Sequence, residues 1–146
     1  MESSSKVKLQ PITRVNWEQC IALEPEDYQQ KYLPSNLFSL AQAHYENCEA
    51  FGIYSEDKMV GFVMICYFSQ VPWITRIMVD KEEQGNGYGA KALKETIEYI
   101  RKKAGVYEIR TTIAKSNAMA EHLFTSAGFK RKGDIDHKEF MMTLEW

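Results

Sequence analysis

The spacing of apolar positions along this chain switches between two residues and three or four, and each switch marks an element. Val7 and Leu9, with Pro11, alternate with polar residues, which predicts a first strand near a sheet edge. Thr13 can cap a helix in which Trp17, Cys20 and Ile21 share a face. Residues 24–28 begin a second short helix or a loop, and Ser35 precedes a helical face of Leu37, Leu40, Ala41 and His44. Two strands follow at 50–54 and 59–68, joined by a turn at 55–58. The second is apolar on both faces, and Gly61 within it marks a bulge or a close backbone approach. Pro72 interrupts before a strand from Trp73, with Trp73, Thr75, Ile77 and Val79 on one face and Ile74, Arg76 and Met78 on the other. A helix over 90–104 buries Leu93, Ile97, Ile100 and Ala104 and stops at Gly105. Ile109, Thr111 and Ile113 mark another strand. A helix from Asn117 turns Ala120, Leu123, Phe124 and Ala127 inward and stops at Gly128. Residues 129–132 and 139–144 read as a closing pair of strands joined at 133–136. No repeat, low-complexity tract or linker divides the pattern, so residues 1–146 form one mixed α/β domain.

Composition narrows the function classes. An apolar content of 45% and a charged content of 26% belong to a globular chain rather than a disordered one. The net charge of −2, with Lys and Arg dispersed, supplies no field to recruit nucleic acid. Cys20, Cys48 and Cys66 have no metal-type spacing, so no metal site is expected and reduced thiols are expected over bridges. Residues 1–5 lead into no long apolar run, so neither a signal peptide nor a membrane span is read, and a cytoplasmic location is expected.

Candidate chemistry concentrates in Gln84-Gly85-Asn86-Gly87-Tyr88-Gly89-Ala90, between an extended apolar run and an amphipathic helix. Glycines at alternate positions allow positive φ, and a turn at a helix start presents unpaired N–H groups at the positive end of the dipole. Such a turn receives a phosphate or pyrophosphate. An NTPase phosphate loop needs Gly-Lys-Ser/Thr, whereas Gly89 is followed by Ala90-Lys91-Ala92. Gly85-x-Gly87-x-x-Ala90 formally fits the dinucleotide fingerprint, but that turn should follow its strand at once. Here residues 80–84 intervene and too little chain follows for a doubly wound sheet.

The remaining spacing, Gln84-x-x-Gly87-x-Gly89 after the strand segment 76–80, resembles the acyl-CoA signature Q/R-x-x-G-x-G/A of the GNAT (Gcn5-related N-acetyltransferase) superfamily. Downstream, Asn117 opens a helix that closes on Gly128-Phe129, which is similar to that family's second motif. The resemblance implies a central mixed, mostly antiparallel sheet, splayed at the acyl-CoA cleft and flanked by helices. It implies an acetyl-CoA-dependent N-acetyltransferase that works by direct amine attack in a ternary complex. Backbone groups of Ile77, Met78 and Val79 would bond the pantetheine and polarise the thioester. The loop Gln84, Gly85, Asn86, Gly87, Tyr88, Gly89 and Ala90 would take the pyrophosphate. Asn117 would contact the cofactor arm, or would simply cap its helix.

Two positions depart from the family. Many members carry a Tyr acid seven residues after the motif Asn, and this chain has Phe124. A thiol of pKa roughly 8.5 leaves tolerably without that acid. Relatives acting on polyamines often place a carboxylate where this chain has Thr75, whose hydroxyl can orient a water. Tyr67 is the candidate base, with cleft lining as its other reading. His122 lies about 200° around the helix from Phe124 and is not expected to substitute. His44 reads as a packed residue and His137 as a solvated one. The N-terminal half, with 17–23, 35–37 and 53–64, resembles the bacterial spermidine/spermine acetyltransferase branch. A polyamine acceptor would then be held by carboxylates such as Glu24, Glu26 and Asp27, with Glu46 and Glu49 also available. Other small amines or a protein amine stay open as acceptors, as does an acyl-CoA sensor without turnover. Relatives often dimerise, so a homodimer is allowed.

Overall fold

The computed structural model describes residues 6–146, so the reading made of residues 1–5 lies outside it. Seven strands form one sheet in the order β1-β2-β3-β4-β5-β7-β6. They are β1 (Val7–Pro11), β2 (Cys48–Ser55), β3 (Lys58–Phe68), β4 (Val71–Val79), β5 (Glu108–Ala114), β6 (Lys130–Asp134) and β7 (Glu139–Glu145). Every neighbouring pair is antiparallel except β4 and β5, which are parallel and matched at Trp73 and Arg110. Four helices cover the faces: α1 (Trp17–Ala22), α2 (Asn36–Tyr45), α3 (Tyr88–Arg101) and α4 (Ala118–Ser126). The expected mixed, mostly antiparallel architecture is the one observed.

Two cores flank the sheet. Leu93, Ile97 and Ile100 of α3 pack with Phe124, Phe129 and Phe140 on one side. On the other, Cys20 packs with Phe62, Met64 and Met78, against Leu40 and Ala43 of α2. The inward face of α2 therefore differs from the expected one: Leu37 is 58% exposed, and Asn36 and Ser39 are buried instead. Each polar residue there has a partner. Asn36 Nδ2 donates to the carbonyl of Cys20 at 2.8 Å, and Ser39 Oγ accepts from Arg76 Nε at 3.1 Å. Ser35 caps α2 as expected, accepting from Phe38 N. α1 starts after Asn16 rather than at Thr13, whose hydroxyl instead accepts from Val15 N in the preceding turn.

Three further differences follow from pairing that composition does not reveal. Pro72 does not interrupt: it lies buried inside β4 opposite Tyr67, and β3 turns into β4 through Ser69 and Gln70 at positive φ. The register of β3 against β4 shifts between Met64 and Ile65, leaving Thr75 as an extra residue. That bulge breaks the expected alternation, so Ile74 and Ile77 pack in the α3 core while Met78 packs in the other. Cys48 and Cys66 stand opposite each other on β2 and β3, with Cα atoms 4.0 Å apart, and are joined by a disulfide. This corrects the expectation of reduced thiols, because strand register sets the pair. Cys20 alone is free, and burial pushes its thiol up to about 12.

Candidate active site

The cleft begins where β4 and β5 part company. Below it the strands meet at Trp73 and Arg110, and Thr111 Oγ1 donates to the carbonyl of Ile74 at 2.8 Å, forming a floor. Above that level no β4–β5 pairing continues, and a cavity of about 1020 Å³ opens between them. Asp80 N donates to the carbonyl of Val60, which fixes the hydrogen-bonding phase of β3 with β4. In an antiparallel ladder the bonded pairs alternate, so Met78 bonds to β3 while Ile77 and Val79 aim their backbone groups into the cleft. Of the strand residues expected to meet an acyl carrier, Ile77 and Val79 thus have free donors, and the Met78 backbone is committed to β3.

The glycine stretch borders the same cavity. Gly85 and Gly87 take φ values of 87° and 79°, the left-handed region that glycine enters without strain. Gly87 caps α3, which begins at Tyr88 rather than at Ala90. The first N–H groups of this helix have no carbonyl a turn behind them and face the cleft mouth. Gln84 braces the loop, donating to the carbonyl of Val79 at 2.9 Å and to Gln29 Oε1 at 2.8 Å. Gly85, Gly87, Tyr88 and Gly89 line the cavity with Gln84. Asn86, whose Nδ2 bonds the Glu83 carbonyl, and Ala90 do not.

Asn117 borders the cavity, and its Oδ1 caps α4 by accepting from Ala120 N at 3.2 Å, so the cap reading is the one observed. Phe124 also lines the cavity, 3% exposed and edge-to-face with Phe129. Thr75 lines it too, with its hydroxyl donated to the Met64 carbonyl at 3.2 Å.

Tyr67 lies elsewhere. It is not in the cavity, and its hydroxyl donates to Glu49 Oε1 at 2.6 Å, while Tyr99 donates to Glu49 Oε2 at 2.7 Å. Burial, and then the Glu49 carboxylate, push the Tyr67 phenol well above its ordinary range, which is the wrong direction for a base. The same causes push Tyr99 up to about 12. Since both phenols hold their protons more tightly when folded, their contribution to stability is complete below about pH 10. It is lost as pH rises through the folded value. Urea unfolding between about pH 8 and 11.5 should show this loss, and Tyr99→Phe should flatten it.

The expected acceptor carboxylates also stand outside the cavity. Glu24 pairs with Lys81 at 3.5 Å, the Glu26 backbone N–H bonds Gln29 Oε1, and Asp27 Oδ1 accepts from Gln30. Other residues border the cavity on that side. A 3-10 turn, Asp27–Tyr32, crosses the cleft: Tyr28 reaches Met119 Sδ, Gln29 reaches Gln84, and Tyr32 meets Ser116 Oγ at 2.9 Å. Arg76 lines the cavity, bonded to Ser39, to Gln42 at 2.8 Å and to the Thr75 carbonyl. All of these are neutral groups. Burial presses against its charge, and only the more distant Glu46 supports it. His122 also lines the cavity, at its exposed rim, although its angle from Phe124 predicts otherwise.

A strand pair that unzips beside a glycine turn and a helix start is the arrangement that the resemblance implies for the acyl-CoA cleft. The model of the acetyltransferase (GNAT) family matches residues 12–129, and the chain belongs to that family. It is an N-acetyltransferase, and acetyl-CoA is the family's cosubstrate. A spermine/spermidine N(1)-acetyltransferase of Bacillus subtilis is 27% identical over 141 residues, spanning 89% of this chain and 91% of that protein. Among solved structures, spermidine N-acetyltransferase from Vibrio cholerae in complex with CoA and spermine aligns with a TM-score of 0.77 at 18% identity, covering 97% and 96% of the two chains. AAC(6')-Ib in complex with paromomycin and acetyl-CoA aligns at 0.81 with 16% identity, covering 96% and 93%. Both likenesses show the fold. Among the described residues no helix is long and apolar enough to cross a membrane.

Proposed function

We propose that this chain moves the acetyl group of acetyl-CoA to a primary amine by direct attack in a ternary complex, with a polyamine such as spermidine or spermine as acceptor. The observation that carries the reading is the pair of backbone N–H groups, Ile77 and Val79, that the β3 ladder leaves facing a cavity of about 1020 Å³. The pantetheine arm would add to β4 as a strand, and the Gln84–Gly89 turn would take the pyrophosphate at the start of α3. A backbone N–H of Ile77 or Val79 would hold the thioester oxygen as negative charge develops on it. Acetyl-CoA supplies the activated acyl group. No cysteine lines the cavity among the described residues, which favours direct attack over an acyl-enzyme on sulfur. Phe124 donates no proton, so the thiolate leaves unassisted and is protonated by solvent, as its roughly 8.5 pKa permits.

The acceptor class rests on the polyamine activity named for relatives, not on Glu24, Glu26 or Asp27, which the cavity does not reach. A cytoplasmic location and a homodimer go with this reading as expectations. Incubation with acetyl-CoA and a panel of spermidine, spermine, diamines, amino acids and aminoglycosides, followed by product mass spectrometry, tests it. Singly acetylated spermidine or spermine is the expected product. Acetylation confined to another amine would overturn the polyamine assignment.

A further inference from the structure

The reaction needs a group to take the proton of the attacking nitrogen, and the cleft offers few. Thr75 is a poor base with its hydroxyl committed to a carbonyl, and Tyr67 lies outside. Two carboxylates line the cavity, Glu83 and Glu139. Glu83 is paired with Lys58. The Glu139 side chain has no hydrogen bond or ion pair with any other described residue, and it is half-buried.

Its position is set by the sheet. Glu139 opens β7 opposite Ala114, the last residue of β5. Phe140 faces the α3 core, so alternation turns Glu139 to the opposite face, the one covered by α2 and the 3-10 turn. Ala114 lies three residues above Thr111 on β5, and Ile77, with Thr75 an extra residue in the bulge, lies two ladder steps above Ile74 on β4. The carboxylate therefore starts from a position about one step beyond Ile77, across the split. Its backbone is held by the preceding turn, with Glu139 N donating to Asp136 Oδ1 at 2.9 Å and its carbonyl accepting from Ile135 N at 2.9 Å. On the β4 wall Arg76 is a cation bonded only to neutral groups. An incoming ammonium is repelled there and drawn toward Glu139.

We propose that Glu139 is the general base of the transfer, an inference that rests on the N-acetyltransferase reading above. The nitrogen–carbon bond forms and the carbon–sulfur bond breaks. The incoming ammonium first loses one proton to the Glu139 carboxylate, directly or through one water, and Glu139 releases it to solvent before the neutral nitrogen attacks. Glu139 then takes the second nitrogen proton as the amide forms, and the CoA thiolate takes its proton from solvent.

The test is the pH profile of kcat at saturating amine and acetyl-CoA for wild type, Glu139→Gln, Glu139→Asp and His122→Ala. The expected loss in Glu139→Gln is about 10²-fold or more, with a kcat that now climbs about tenfold per pH unit as hydroxide replaces the base. Its KM for acetyl-CoA should stay unchanged, Glu139→Asp should recover part of the rate, and His122→Ala should keep the shape of the wild-type pH profile, whatever its rate. A Glu139→Gln rate within about threefold of wild type with an unaltered profile overturns the inference. So does transfer of that pH signature to His122→Ala. Wild-type protein that acetylates no amine would instead remove the transferase reading itself, a result separable from either.

Discussion

Replacing Gly61 with alanine should lower the unfolding free energy by about 3 kcal/mol, the upper end for overpacking. A Cβ at Gly61 would overlap the carbonyl oxygen of Met78 and crowd Ile53 Cδ1 at 3.0 Å. The first contact is with a backbone carbonyl committed to the β3–β4 ladder, so no rotamer change relieves it. Either β3 moves away from β4 or the Met78 carbonyl gives up its place in the ladder. For a chain of this size the loss corresponds to a fall in Tm of about 10 °C. Gly52→Ala is the contrast, since its new Cβ would meet side-chain atoms of Met59 and Tyr54 at 3.0 Å, and the tip of Met59 can move. Urea and thermal unfolding of the two variants should differ by about 2 kcal/mol. Because Met78 lies between Ile77 and Val79, Gly61→Ala should also weaken acetyl-CoA binding in the protein that remains folded.

Ile77→Pro addresses the chemistry. The Ile77 N–H points away from β3, into the cleft, so proline there removes no ladder bond on that side. What it removes is the donor that the proposed mechanism aims at the thioester oxygen, and losing one such donor would lower kcat by about 10²–10³-fold. Binding of desacetyl CoA, whose pyrophosphate the proposed mode would set on the glycine turn, should change far less. Circular dichroism confirms folding, and the ratio of the two effects separates an oxyanion role from damage to the strand.

The glycine turn and the helix start beside the cleft were legible in the sequence for a physical reason. Glycines at 85 and 87 are required by the φ values of the turn itself, and the helix start that follows is local in the chain. The other residues that line the cleft were not legible, because they meet only through register and crossing. Glu139 reads as an ordinary strand residue until β7 is paired with β5, and Arg76 reads as a polar strand position until the Thr75 bulge turns it toward Ser39 and Gln42. The disulfide between Cys48 and Cys66 was hidden in the same way. Tyr67 shows the converse error, since its place at the end of β3 predicted a cleft residue and the structure joins it to Glu49 and α3 instead. Acidic residues early in the chain looked like a polycation site, and each has a local partner outside the cavity.

The decisive measurement is the initial rate of CoA-thiol release as acetyl-CoA and spermidine are varied together. Direct attack in the β4–β5 cleft predicts release that depends on the amine, with double-reciprocal lines that intersect. Parallel lines would mean that the acetyl group rests on the enzyme before transfer, and release indifferent to any amine would mean that the cleft does not carry acetyl to nitrogen.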